Sequence, residues 1–309
     1  MKYLKLLRWN NLLMIFFVQM LTQFALVNSL FYQSDSSVTF PVWLFGVISM
    51  GTLLIAGGGY VINDIYDVAI DAVNKPRRRM IENYITKTQA WRLYALVTSL
   101  GLLLGGVAAC ELRTSAMAVI FIINALVLWI YSAYLKKLPF IGNLTISVLT
   151  ASSVVVIWFA NKWFINFSLP SSSFFVNTDL SDTIVMVYVF FALWSNLIRE
   201  IIKDIEDFEG DQKYGGNTIP IAFGRTIAVR LTTGLSVFMI VMLFQPLVWM
   251  WQEARLIFLF HTIGLVIFPL VLLIRELLTA SQKSDFHRAS SLIKLIMMLG
   301  VLSMIWFLL

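Results

Sequence analysis

Six aspartates in this chain fall into two sets of three with one spacing. Asp64, Asp67 and Asp71 lie in Asn63-Asp-Ile-Tyr-Asp-Val-Ala-Ile-Asp71, and Asp204, Asp207 and Asp211 in Lys203-Asp-Ile-Glu-Asp-Phe-Glu-Gly-Asp211. Both sets read i, i+3, i+7. On one helix, at about 100° per residue, three such side chains fall within about 60° of one another over about 10 Å of rise. Glu200, one turn ahead of Asp204, extends the second stripe. Six carboxylates near a low-dielectric boundary repel one another unless countercharge lies among them. With no His or Cys nearby, hard oxygen donors favour Mg²⁺, which keeps waters and is shared between one or two carboxylates and a substrate phosphate. That chemistry makes Asp64, Asp67, Asp204 and Asp207 candidate metal ligands, with Asp71 and Asp211 as outer ligands or bases. Two solvated helix ends salt-bridged to Arg77, Arg78 and Arg79 are the plainer reading, and the repetition at identical spacing argues against it.

Basic and amide side chains accompany both sets. Asn74-Lys75-Pro76-Arg77-Arg78-Arg79 follows the first ladder as a cationic turn, where Arg offers bidentate donors to phosphate oxygens and Lys a point charge. Lys75 and Arg78 are therefore candidate substrate-binding residues, and Lys136, beside Lys137 and following Tyr131-Ser132, reaches for the same phosphate or anchors the fourth span. Arg199 and Lys203 flank the second ladder as Asn63 heads the first. Arg8 and Asn11 stand at the mouth of the first apolar run, positioned for a cavity or for interfacial snorkelling. Asn124 and Asn143 sit in or beside apolar helices, where an amide needs a partner, so helix glue and substrate contact stay open for both. Gly57-Gly58-Gly59 permits close backbone approach beneath Asn63, and His261 reads as a satisfied intramembrane polar group.

The elements that must hold these residues are set by composition. The chain has 309 residues, 59% apolar and only 13% charged, with a mean hydropathy of +0.83, whereas a soluble domain carries about 25% charged residues. Apolar runs able to cross about 30 Å of hydrocarbon lie at roughly 11–32, 41–63, 90–110, 115–135, 141–161, 183–202, 226–249, 255–274 and 290–309. The expectation is an all-α polytopic membrane protein of nine helices, forming one transmembrane domain over 1–309. The first run follows Lys2, Lys5 and Arg8 but is too long for a signal peptide and lacks a small-residue cleavage site, so it reads as a retained span. Placing the N-terminus inside puts 20 of the 23 Lys and Arg residues on the cytoplasmic side, leaving Arg113, Lys162 and Arg255 opposite. This predicts a cell-membrane protein with its active site cytoplasmic and its C-terminus outside. The net charge of +6 is met by anionic lipid and an anionic substrate, with no nucleic acid.

The ladders end the second and sixth spans, four crossings apart, so both open to one side. Their recurrence suggests two four-helix repeats plus a ninth helix around a central cavity. The longest outer connection, around Asn161–Asp182 with Pro170 and Ser171-Ser172-Ser173, reads as a surface loop carrying an interfacial helix. One cysteine, Cys110, excludes a disulfide framework and a cysteine metal cage, and His261 and His287 are too isolated for a haem site. Apolar spans beneath a polar cap imply an amphipathic substrate with a diphosphate head and a lipid tail.

At these residues the sequence resembles the UbiA-type intramembrane prenyltransferase superfamily, which carries two aspartate-rich motifs on nine helices. Asn63-Asp64-x-x-Asp67-x-x-x-Asp71 looks like the first motif and Asp204-x-x-Asp207-x-x-x-Asp211 like the second. The segment from Arg199 to Asp211, together with Ile141-Gly142-Asn143-Leu144, Asn74-Lys75-Pro76 and Arg288-Ala289-Ser290, is most similar to the digeranylgeranylglyceryl phosphate synthase branch. Arg79 stands where the family has proline after the arginine aligned with Arg78. The resemblance implies Mg²⁺-dependent transfer of a prenyl group, geranylgeranyl in that branch, from its diphosphate to a glycerol hydroxyl of a lipid phosphate. The rival readings are the same chemistry on an aromatic quinone precursor and, from another class, a transporter, whose charges should lie near the bilayer midplane rather than at one face.

Overall fold

A computed structural model describes residues 2–32, 39–74, 79–168, 179–213 and 215–309. Its elements run α1 (Lys2–Leu6), α2 (Trp9–Phe31), α3 (Val42–Tyr66), α4 (Val68–Asn74), α5 (Lys87–Glu111), α6 (Ser115–Ala133), α7 (Ile141–Ser168), α8 (Asp179–Glu206), α9 (Phe208–Lys213), α10 (Ile219–Phe223), α11 (Arg225–Gln252), α12 (Leu256–Thr279) and α13 (Lys283–Leu308). Among the described residues, nine of these are long and apolar enough to cross a membrane: α2, α3, α5, α6, α7, α8, α11, α12 and α13. They fall on the nine apolar runs of the sequence, most of them longer by a turn or so because amphipathic residues continue the helix past the hydrocarbon edge. No strand forms among the described residues; Ile81 and Ile85 make an isolated bridge. The protein is a multi-pass, all-α integral membrane protein.

Contacts divide the chain into two compact units. One holds residues up to Leu135 together with Ser152–Val185, the other Lys136–Ala151 together with Met186–Leu309. In the first, α3, α5 and α6 approach closely because glycines remove the Cβ where a large side chain must fit. A Cβ on Gly51 would stand 2.6 Å from Phe121 Cε1, and one on Gly105 would stand 2.5 Å from Phe121 Cγ. Phe121 therefore fills a slot between two helices that only small residues leave open. The Gly57-Gly58-Gly59 run does the same one turn before the first ladder. Gly58 meets Thr98 of α5, Gly59 would bring its Cβ to 2.8 Å from Leu128 of α6, and Gly57 to 3.1 Å from Leu7. Tight packing is thus the work of all three.

Polar groups in the first unit's apolar helices find one another, as they must where water is absent. Asn161 Nδ2 donates to Gln23 Oε1 at 2.8 Å, and Gln23 Nε2 and the Tyr32 hydroxyl donate back to Asn161 Oδ1 at 3.1 and 3.0 Å. Gln23 lies in a π-helical turn of α2, Thr22–Val27. Further along, Lys162 Nζ and Trp158 Nε1 hold Asp182 at 2.7 and 2.8 Å, tying α7 to the start of α8. The expected interfacial helix between them, with Pro170 and Ser171 to Ser173, falls outside the described residues; α7 itself runs on to Ser168.

The second unit is built on one stripe. Leu197, Ile198, Ile201, Ile202 and Ile205 of α8 are each 2% exposed or less and pack with Leu270, Leu273 and Leu277 of α12 and Ile293 and Ile296 of α13. Gly300 of α13 lies against the Phe191 ring. His261 at the end of the α12 opening turns is satisfied by the Leu299 carbonyl, 2.8 Å from Nε2.

Candidate active site

Each ladder begins on the last turn of a long helix and crosses a break. The helix α3 stops at Tyr66, Asp67 takes φ −92° and ψ 3°, and α4 starts at Val68. Likewise α8 stops at Glu206, Asp207 forms a turn, and α9 starts at Phe208. The three carboxylates of a set therefore do not share one straight helical face, as their spacing suggests; the first lies before the break, the second on it and the third beyond. Short acidic and amide side chains offer the backbone local alternatives to the helix, and Asn63 Nδ2 donates to Asp67 Oδ2 at 2.8 Å across the first break.

The two breaks follow one backbone plan. Asp67 N–H donates to the Asn63 carbonyl at 2.9 Å and Asp71 N–H to the Asp67 carbonyl at 2.8 Å; Asp207 N–H donates to Lys203 at 2.8 Å and Asp211 N–H to Asp207 at 3.2 Å. Burial repeats as well. Val61, Ile62 and Ile65 are buried where Ile201, Ile202 and Ile205 are, and Asp64, Asp67, Asp204 and Asp207 are half-buried in corresponding places. A hydrophobic underside thus pins each helix end while its carboxylates stay accessible. For the first ladder that underside also includes Leu6, Ile81, Ile85 and Ala90, so the connection after the ladder is stitched back beneath it.

A residue opening an earlier span holds the first aspartate of each set. Arg8 Nη2 lies 2.6 Å from Asp64 Oδ1, and its guanidinium sits 5.1 Å from the centre of the Tyr60 ring, within cation–π range. Burial is the largest influence and pulls the Arg8 pKa down, but the charge and hydrogen bond of Asp64, with Tyr60 and Asp71, together outweigh it and the guanidinium ends above its ordinary value. Arg8 occupies the left-handed region at φ 53°, a strain of about 1–3 kcal/mol for a non-glycine residue that persists where surroundings impose it. In the second unit, buried Asn143 on α7 donates through Nδ2 to Asp204 Oδ2 at 2.8 Å. Below it, Ser147 Oγ donates to the Asn143 carbonyl at 2.6 Å and receives Asn196 Nδ2 at 3.3 Å.

The remaining predicted residues divide. Arg199 and Lys203 both pair with Glu200, Lys203 Nζ at 3.3 Å, so the second stripe carries its own countercharge. The turn holding Lys136 is joined to the connection after the second ladder, where Asn217 N–H donates to the Lys137 carbonyl at 3.1 Å. Asn124 is taken up in helix glue: its Nδ2 donates to the Ile120 carbonyl at 3.0 Å and its Oδ1 accepts from Ser152 Oγ at 3.2 Å. Asn11 and Tyr131 are half-buried on α2 and α6. Arg79 pairs with Glu82 at 3.1 Å. Lys75, Arg77 and Arg78 fall outside the described residues. Tyr60, Ser147 and Asn196 were not singled out from the sequence. Tyr60 stands one turn before Asp64, and Asn196, Glu200 and Asp204 repeat every fourth residue, a polar stripe that an apolar helix does not carry idly.

Among the described residues, no three His, Cys, Asp or Glu side chains are assembled into a metal cage. The donor set nonetheless fits Mg²⁺. Half-buried aspartates at helix ends, with amides beside them and the His287 imidazole engaged by Glu206 at 2.9 Å, match an ion that takes few protein ligands and completes its shell with water and phosphate.

The fold and these two edges define a polytopic helical protein with paired aspartate-rich helix ends. Residues 13–302 match the UbiA prenyltransferase family, and the chain belongs to it. It is 32% identical over 240 residues to a digeranylgeranylglyceryl phosphate synthase of Saccharolobus solfataricus, covering 77% of this chain and 74% of that one. A solved structure concerning digeranylgeranylglyceryl phosphate synthase in membranes superposes with a TM-score of 0.66 at 27% identity, covering 98% of this chain and 96% of that one. A UbiA homolog from Archaeoglobus fulgidus bound to GPP and Mg²⁺ shares the fold, with a TM-score of 0.56 at 16% identity over 98% of this chain and 99% of that one.

Proposed function

We infer that this chain is a Mg²⁺-dependent prenyltransferase that moves a geranylgeranyl group from its diphosphate to a glycerol hydroxyl of a geranylgeranylglyceryl phosphate-like lipid, forming an ether lipid. The observation that carries this reading is the repeated carboxylate edge, Asp64-Asp67-Asp71 and Asp204-Asp207-Asp211, in a family member similar to synthases of that name. The whole chain acts as one transmembrane domain in the cell membrane, with the N-terminus and both ladders cytoplasmic and the C-terminus outside. The excess of Lys and Arg in alternate connections supports that orientation.

Asp64, Asp67, Asp204 and Asp207 would hold Mg²⁺, and Asp71 and Asp211 serve as outer ligands or bases. Held by these carboxylates, Mg²⁺ would supply positive charge to offset that of the diphosphate leaving group. Lys75, Arg78 and Lys136 bind the departing diphosphate, and because its charge is greatest in the transition state, they lower the barrier more than they tighten ground-state binding. Arg8, Asn11, Asn63, Tyr131, Asn143, Arg199 and Lys203 orient substrates or the carboxylates themselves, whereas Asn124 joins α6 to α7. Apolar spans keep water from the allylic cation, which hydrolysis would otherwise consume. The acceptor hydroxyl oxygen bonds to the allylic carbon, and its proton passes to a nearby carboxylate or to the released diphosphate.

Purified protein incubated with radiolabelled geranylgeranyl diphosphate, geranylgeranylglyceryl phosphate and Mg²⁺ tests this. Diphosphate release with a product ether is expected, and EDTA should abolish it. Transfer only to an aromatic acceptor would overturn the acceptor assignment. Uptake into liposomes without chemistry would overturn the enzyme.

A further inference from the structure

We propose that Arg8 is a built-in counter-cation for the first ladder, which a divalent ion must displace from Asp64 before that carboxylate can serve as a ligand. This rests on the reading of Asp64 as a metal ligand and adds to it a competitor carried by the chain itself.

Three observations converge on Arg8. Its guanidinium lies 2.6 Å from Asp64 Oδ1, a charge-assisted contact at a side chain that is 15% exposed. The same group rests over Tyr60, which places an aromatic face on its other side. The backbone beneath it takes φ 53°, so the bend between α1 and α2 points this residue at α3 against its own preference. Leu6, two residues earlier and fully buried against Val61, Ile62 and Ile65, fixes that bend in place. A residue meant only to snorkel to a lipid surface needs none of this.

The first aspartate of the second ladder is held differently, since Arg199 and Lys203 pair with Glu200 one turn before it. That aspartate, Asp204, receives the neutral amide of Asn143. An amide hydrogen bond orients a carboxylate and leaves its charge for a metal, whereas an arginine opposes a divalent ion by direct repulsion. The first aspartates of two similar motifs are therefore held on different terms, and Arg8 is a positioning residue that offsets the charge of Asp64 and keeps it ordered until ion and diphosphate arrive.

The test is Mn²⁺ binding to the purified, substrate-free protein, read by electron paramagnetic resonance, alongside thermal melting in the same detergent. Arg8→Gln should bind Mn²⁺ about tenfold more tightly while melting lower, because a unit charge is removed a few ångströms from the ion. Arg8→Lys keeps a charge without the planar fork and should fall between wild type and Arg8→Gln; it carries the same test if Arg8→Gln does not fold. Affinity that is unchanged or weaker in the folded variant would overturn the proposal. Asp64→Asn separates this failure from that of the underlying reading. If Asp64→Asn leaves both Mn²⁺ binding and prenyl transfer intact, Asp64 is no ligand and the reading itself fails; if it impairs them while the Arg8 variants do not tighten binding, only the role of Arg8 fails.

Discussion

Asn124 and Asn143 are the same amide in similar apolar surroundings, and their partners separate them. Asn124 closes on Ser152 and its own helix, whereas Asn143 reaches Asp204. The sequence leaves both open between glue and site because the deciding contacts join residues far apart in the chain, as does the pair of Arg8 with Asp64. The difference predicts opposite phenotypes. Asn143→Leu removes a donor from a half-buried carboxylate, an effect of about 1–3 kcal/mol, and should lower prenyl transfer by about tenfold or more with little change in melting temperature. Asn124→Leu removes the amide that joins α6 to Ser152 of α7 and should act on melting rather than on turnover. Steady-state kinetics and thermal melting on the two variants check this, and equal loss of activity in both would contradict the assignment.

At the scale of elements, the nine spans were legible because runs of about 20 apolar residues have few other uses. The ladders were legible because aspartates are rare in such helices. The breaks at Asp67 and Asp207 were not, since i, i+3, i+7 fits one unbroken helix equally well and a single aspartate is only a weak breaker. What the structure adds is that each break is pinned from below by buried isoleucines. Ile62→Ala in that underside should create a cavity worth about 2–4 kcal/mol, lower the melting temperature and reduce activity through the displaced carboxylates. Ala replacing exposed Ile123 of α6, which is 53% exposed, should do neither. Gly105→Leu should be more severe than either, because the added side chain meets the Phe121 ring rather than a space that can adjust. Melting curves in detergent rank the three.

For the molecule as a whole, the positive-inside bias and the repeated ladders make linked claims about sidedness. Cys110 is the one cysteine of the chain and is exposed at the end of α5, a helix end that the positive-inside bias predicts to lie outside. A membrane-impermeant maleimide should label it from outside in intact cells, and a cysteine replacing Gly215, after removal of Cys110, should react only when the membrane is opened. The central claim is that both carboxylate edges serve one metal-dependent transfer. Its most direct measurement is Mg²⁺-dependent ether formation by folded Asp67→Asn, Asp207→Asn and the double variant. If the two edges act as one unit, each single change should reduce the rate by about 10³-fold and the double change should fall little further, as groups that work together are strongly non-additive. A single variant of either ladder that keeps near wild-type rate, with its Mg²⁺ dependence intact, would contradict the account.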